Sequence, residues 1–356
     1  MPIPESEYLS PVWKDGLFSA FQMNPRFIPI STADTNRHSA DNRVVFVTGG
    51  AGTICSAQTR ALVRLGADAC IIGRNVEKTE KAAADIATAR KGARVIGIGG
   101  CDVRSYESLA GAVDRCVKEL GGIDFVIAGA AGNFVVPLAG MSPNAFKAVI
   151  DIDVVGTFNT VKATIPHLVE SAKRNPHPSK DATTGGRILA VSATFHYTGM
   201  PLQAHVAAAK AGVDSLMTSV ALEYGPFGLT SNVIAPGPIA NTEGMARLSG
   251  DSEAAIGRRV PAGRLGTVRD IADSTVYLFS DAGSYVNGHV LVADGASWRM
   301  GGSVGVGIES GMQYPDFLFS GQIAKGLAGK RRTLALSSTS AENVSHIESC
   351  GGLHVT

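Results

Sequence analysis

Residues 44–55 read VVFVTGGAGTIC: a short apolar run, a glycine turn, and the beginning of a segment with helical spacing. The run of Val, Phe and Thr suits a strand covered on both faces. Gly49, Gly50 and Gly52 permit a tight turn and let a backbone approach a pyrophosphate. Residues 55–66 (CSAQTRALVRLG) carry the helical spacing, so Thr53 and Ile54 stand at a helix N-terminus. Free N–H groups and a partial positive charge make such a terminus a seat for phosphate. Alone, these glycines read equally well as an ordinary turn; between a strand and a helix they open a dinucleotide-binding unit.

Outward from this unit the chain alternates. Further strands are expected at 69–73, 94–98, 123–128, 187–192, 230–235 and 289–293, and helices at 77–90, 107–120, 143–150, 157–172 and 204–224. Continuous apolar strands separated by helices predict an α/β fold of Rossmann type: a doubly wound, parallel, seven-stranded sheet in a single domain. The domain spans 44–300, with an N-terminal extension at 1–43 and a C-terminal extension at 301–356. Residues 20–43 lack periodicity, 174–186 (RNPHPSKDATTGG) read as a surface loop, and the serine-rich end predicts disorder.

Composition narrows the function. Hydrophobic residues make up 45% and charged residues 18%, a globular balance, and the net charge of +1 gives no bulk field for nucleic acid or an anionic membrane. The five cysteines form no CxxC pair, so neither a zinc site nor a disulfide framework is expected. The start, MPIPESE, has neither the basic nor the apolar region of a secretory signal, and no uncharged apolar stretch suits a membrane span.

Arg74 follows the second strand. An acidic residue there would bond the ribose hydroxyl of NAD, whereas arginine can pair with the 2′-phosphate of NADP, so NADPH is the expected cofactor. Asp102, after the third strand, has two readings, an adenine contact or a helix N-cap.

The glycine turn, Cys101-Asp102, Ala128-Gly-Ala-Ala131, Lys210 and residues 235–242 (APGPIANT) resemble, in order, the motifs of the short-chain dehydrogenase/reductases. The resemblance covers about 44–300. It implies cofactor contacts from Val103, Ala128 and Gly129, and a segment closing over the nicotinamide at Pro236, Gly237, Ile239 and Thr242. That family works with Asn, Ser, Tyr and Lys. Here Lys210 remains, but the tyrosine position is Val206, the serine position Ala193 and the asparagine position Asp153. Valine cannot donate a proton, so an ordinary alcohol–ketone dehydrogenase is disfavoured.

Residues 130–134 (AAGNF), 151–157 (DIDVVGT), 236–244 (PGPIANTEG) and 292–295 (VADG) resemble a narrower group, the peroxisomal 2,4-dienoyl-CoA reductases. Thr48–Cys55, 75–79 (NVEKT) and 314–317 (YPDF) resemble its fungal branch, which shares Thr53 and Cys55 where most of the superfamily has glycine. The resemblance implies NADPH-dependent reduction of a 2,4-dienoyl-CoA to a 3-enoyl-CoA in the oxidation of unsaturated fatty acids. Asp153 and Lys210 would hold a proton-donating water, and Lys210 would also bind the nicotinamide ribose. Asp153 has a second reading as a structural cap. Asn133 and Phe134 would line the thioester pocket, and His205 would reach it; Phe134 reads equally as core and His205 as a packing residue. Two other functions stand beside this one, a biosynthetic enoyl or polyketide reductase and a silent NADP-binding protein. The expected partners are an acyl-CoA and a second copy of the chain, in dimers or tetramers built through 157–172 and 204–224. The resemblance implies a peroxisome, yet the chain ends His354-Val-Thr356 without a Ser-Lys-Leu-like address, which leaves the cytoplasm as the alternative. Residues 20–43 and 333–356, which depart from the group, read either as gene-model errors or as divergence.

Overall fold

Val44–Thr48 forms β1, and all five of its residues are buried. The computed structural model describes residues 43–175, 185–248 and 253–300; the expectations for the two extensions, for Cys350 and for 176–184 lie outside the described residues. After β1 come α1 (Thr53–Arg64), β2 (Asp68–Ile72), α2 (Val76–Ala87), β3 (Val95–Ile98), α3 (Tyr106–Leu120) and β4 (Phe125–Ala128). The second half holds α4 (Pro143–Ile150), α5 (Gly156–Arg174), β5 (Gly186–Val191), the single turn α6 (Phe195–Thr198) and α7 (Ala204–Tyr224). It closes with β6 (Leu229–Pro236), α8 (Glu243–Leu248), α9 (Glu253–Arg259), α10 (Val268–Phe279) and β7 (Val290–Ala293).

The strands lie in the order β3-β2-β1-β4-β5-β6-β7, all parallel, as the alternation predicts. From β1 the sheet grows outward to β3, then the chain returns to lay β4 on the other side of β1. That reversal opens a crevice beyond the C-terminal ends of β1 and β4, where such sheets bind ligands.

Side chains alternate across the sheet. Val45, Val47, Ile71, Phe125 and Ile127 face one layer with Leu62 of α1 and Ile271 and Val276 of α10. Phe46, Ile72, Val126 and Ile188 face the other with Leu109 of α3, Leu168 of α5 and Met217 of α7. Each such fully buried side chain stabilises the fold by roughly 1.5–3 kcal/mol before conformational entropy is subtracted.

Two features depart from the sequence reading. Helices 143–150 and 157–172 are one continuous rod, because Asp151–Val155 continues the helix as a π-turn. Three helices, α8 to α10, lie between β6 and β7, where no helix was expected. Thr267 and Asp270 start α10 with a reciprocal capping box. On the faces expected to meet a second copy, Phe158 is 47% and Leu222 76% exposed.

Candidate active site

The glycine turn and the end of β4 touch through their backbones. Gly49 has φ +66°, and a Cβ there would lie 2.9 Å from Ala130 Cα. Thr48 Oγ1 accepts the N–H groups of Gly129 and Ala130, at 3.1 and 3.2 Å, tying the two turns together. A Cβ on Gly129 would lie 2.2 Å from Cys55 Sγ. Cysteine is tolerated at 55 because 129 is glycine. Burial pushes the Cys55 thiol up to about 12, so it serves as a packing atom and not as a nucleophile.

Helix α1 has Gly52 as its N-cap, with no side-chain cap and no acid in its first turn. By contrast α2, α3 and α4 are closed by Asn75, Ser105 and Ser142. An uncapped N-terminus behind a turn that carries Gly49, Gly50 and Gly52 fits a pyrophosphate. Thr53 and Ile54 are its first two residues. Arg74 stands exposed directly after β2. Asp102 is not the N-cap of α3, since Ser105 takes that place. Its carboxylate instead receives Arg104 through both oxygens, with Nε at 3.0 Å from each. Arg104 hydrogen bonds hold the Asp102 carboxyl below the usual range.

Across the crevice, β6 and β7 end side by side. Gly237 N–H donates to Ala293 O, and a Cβ on Gly237 would meet Asp294 Cβ at 2.4 Å. Pro236 ends β6, and Ile239 is buried in an isolated bridge with Gly266. Thr242 Oγ1 donates to Ile239 O at 2.8 Å and accepts Met245 N–H at the start of α8.

At the centre of the crevice is a buried ion pair. Asp153, fully buried, lies on the π-turn; Oδ1 accepts Gly132 N–H at 2.7 Å and Oδ2 is 3.0 Å from Lys210 Nζ. Lys210 Nζ also donates to Val191 O, the last residue of β5, at 3.0 Å. Asp153 is therefore no helix cap, and the two side chains meet directly. The extra residue of the π-turn turns Asp153 inward, and such turns recur at functional sites. Gly156 lets the turn sit against the loop after β3, because a Cβ there would lie 2.6 Å from Val103 Cγ2.

Val206, one helical turn before Lys210, is buried with Val149 and Ala209, and Phe134, Val154 and Phe195 pack against them. Where a tyrosine would act, the wall is apolar. Phe134 is half-buried, and its ring lies 4.2 Å from that of His205. His205 is fully buried, and burial pushes its pKa below the ordinary value. Asn133 is half-buried on the same loop. Ser192 and Thr194, beside the lost serine position, are both buried.

The structure thus brings Asp153, Lys210, Phe134 and His205 to one place, and the glycine turn and residues 236–242 to the two sides of one crevice. Sequence reasoning missed Arg104, Gly132 and the fully buried Gln203, which donates to Phe134 O. Only Gln203 left a trace, as a polar residue at the start of an apolar helix. Among the described residues no group of His, Cys, Asp and Glu is arranged to hold a metal, and no helix is long and apolar enough to cross a membrane.

Comparison with known proteins places this geometry. A family model described as enoyl-(acyl carrier protein) reductase matches residues 49–296. The peroxisomal 2,4-dienoyl-CoA reductase SPS19 of Saccharomyces cerevisiae, named as (3E)-enoyl-CoA-producing, is 51% identical over 286 residues, covering 80% of this chain and 91% of the relative. Its counterpart from Danio rerio, named in the same way, is 40% identical and covers 72% and 82%. Among solved structures, a short chain dehydrogenase from Bacillus anthracis superposes with a TM-score of 0.62 at 31% identity, over 73% of this chain and 98% of that one. With an apolar residue at the tyrosine position and a buried Asp–Lys pair at its centre, this chain belongs to the short-chain dehydrogenase/reductase superfamily and, within it, to the family of the 2,4-dienoyl-CoA reductases.

Proposed function

We propose that the protein reduces a 2,4-dienoyl-CoA to a 3-enoyl-CoA with NADPH. The observation that carries this is the buried Asp153–Lys210 pair beside Val206, a centre that keeps a charged relay and lacks a phenol. The names of the yeast and zebrafish relatives support the substrate class and the position of the product's double bond.

The cofactor would be held at its pyrophosphate by Gly49, Gly50, Gly52, Thr53 and Ile54, and at its 2′-phosphate by Arg74. Asp102 and Val103 would flank the adenine. Ala128, Gly129, Pro236, Gly237, Ile239, Thr242 and Lys210 would surround the nicotinamide and its ribose. When bound, the cofactor supplies a hydride.

In the substrate, the distal diene carbon accepts that hydride. The electron pairs shift toward the thioester, the remaining double bond moves to the 3-position, and negative charge collects on the thioester oxygen. A proton returned to the α-carbon completes a 3-enoyl product. Conjugation has already activated the electrophile, so the site needs an oxyanion partner and a proton path more than an acid beside a ketone. Lys210 and Asp153 provide the path: the ammonium balances the carboxylate in a buried site, and a water between them and the α-carbon would deliver the proton. His205, whose pKa burial lowers, would stand neutral against the thioester side. Phe134, Asn133 and the apolar surface at Val206 would hold the acyl chain.

The test mixes purified protein, NADPH and 2,4-hexadienoyl-CoA and follows NADPH loss and product structure. Turnover to the 3-enoyl thioester is expected. Lys210→Ala should abolish it, and Asp153→Ala should slow it by roughly 10²–10⁴-fold. NADPH binding without turnover would overturn the reading. The matching family model's description favours one alternative, an acyl-carrier-protein thioester as substrate. Parallel assays with the carrier-bound dienoyl group separate the two.

A further inference from the structure

We propose that Gln203 is a positioning residue for this reduction, holding Phe134, and through it His205, as one wall of the thioester pocket beside Asp153. The proposal rests on the pocket reading above.

Gln203 occupies the position before α7, where a side chain normally turns back to cap the helix. It makes no cap bond. Its amide reaches instead across to the loop after β4: Nε2 donates to Phe134 O at 2.9 Å and to Leu202 O at 3.2 Å. Both partners are carbonyls, which fixes this end of the amide as nitrogen. Leu202 O accepts a second bond, from Val136 N–H at 3.3 Å. The two loops that flank the pocket are therefore laced together through Gln203 and Leu202.

The backbone bends sharply to allow this. Gly199 has φ +76°, and Leu202, which is not glycine, has φ +68°. Such a conformation persists only where its surroundings over-determine it, and it gathers at functional sites. What the bend secures is the placement of Phe134 against His205. On that wall Gln203 Oε1 is buried without a protein partner. Two residues before Phe134 the same loop donates Gly132 N–H to Asp153 Oδ1 at 2.7 Å. The loop that carries Gly132 and Phe134 links an otherwise silent amide to Asp153, and Phe134 carries the same hold to His205.

Three variants of the full-length protein test this. Gln203→Leu keeps the bulk but cannot donate; kcat/KM for 2,4-hexadienoyl-CoA should fall roughly tenfold, with the KM for NADPH unchanged. Gln203→Glu should behave alike at neutral pH, where a carboxylate faces two carbonyls. Burial raises a carboxyl pKa, and once protonated the group can donate to Phe134 O, so activity should recover as pH falls. The parent, with nothing to titrate at 203, should lack that recovery. In the third, para-fluorophenylalanine replaces Phe134, and adding Gln203→Leu should shift its fluorine NMR signal in the NADPH complex. This readout needs no turnover, so it still decides the role of Gln203 if the parent fails to reduce the dienoyl thioester. The proposal is overturned if the fluorine signal does not move. It is equally overturned if Gln203→Glu shows no acid recovery while thermal stability and NADPH affinity fall in step with activity.

Discussion

Gly129→Ala probes the tight contact between the loop after β4 and helix α1. The new Cβ would lie 2.2 Å from Cys55 Sγ and 3.3 Å from Thr48 O, but 3.7 Å from Cys55 Cβ. The sulfur alone stands at a distance no methyl group tolerates, while the carbon that carries it is in ordinary contact. Cys55 is buried in the layer formed by α1 and the sheet, so relief requires movement of backbone or of packed neighbours. Overpacking of this kind costs about 1–3 kcal/mol. At roughly 2–4 °C per kcal/mol for a domain of this size, the melting temperature should drop by several degrees. Cys55→Ala alone removes one buried heavy atom and should cost about 1 kcal/mol. In the double variant the methyl at 129 occupies the space the sulfur left, so the two costs should not add. A double-mutant cycle by urea unfolding should return a favourable coupling of about 1–3 kcal/mol. NADPH affinity, titrated in parallel, should fall in Gly129→Ala and recover in the pair. A coupling below about 0.5 kcal/mol would refute the reasoning, since independent sites add to within that margin.

Two further predictions follow the charges. Arg74→Ala should raise the KM for NADPH roughly tenfold and leave that for NADH nearly unchanged, because only the former carries the 2′-phosphate; equal effects on both would remove Arg74 from cofactor choice. Asp270 receives Arg264 through both oxygens and closes the cap of α10, and the Arg264 hydrogen bonds hold its carboxyl down to about 2. A lowered folded pKa stabilises above the unfolded value, near 3.9, and that stability is lost as pH falls through about 2. The stability gap between parent and Asp270→Asn should therefore be constant near neutrality and shrink from about pH 4 to about pH 2. A gap that ignores pH in urea titrations would contradict the assignment.

The sheet is legible because its strands are continuous apolar runs: residues 44–48 must be buried on both faces, and they are. Helix 204–224 is legible to the residue, bounded by a bent, polar start and a glycine after Tyr224. The α10 helix carried a readable signal, Thr267 followed three residues later by Asp270, masked by its position after the irregular α8–α9 segment. Asp153 is harder. Periodicity across DIDVV breaks, and a broken period looks like a gap between helices. Its carboxylate was found through resemblance, and its direct contact with Lys210 depends on a backbone anomaly that composition does not encode. Gln203 is harder still, because its importance lies in which carbonyls it reaches, and those belong to a loop some seventy residues earlier.

The π-turn at Asp151–Val155 has a consequence for helix phase. Each residue advances an α-helix by about 100°, and a π-turn holds one residue more than the α-helical count. Removing any single residue from this stretch would let α4 and α5 join in ordinary register. The core face on α5 would stay packed, but α4 and the carboxylate would rotate by about a quarter turn relative to Lys210. Every side chain of the site could then be present with the pair broken. The number of residues between Ser142 and Thr157, and not their identities alone, decides which way Asp153 faces, so an insertion or deletion here would matter more than most substitutions.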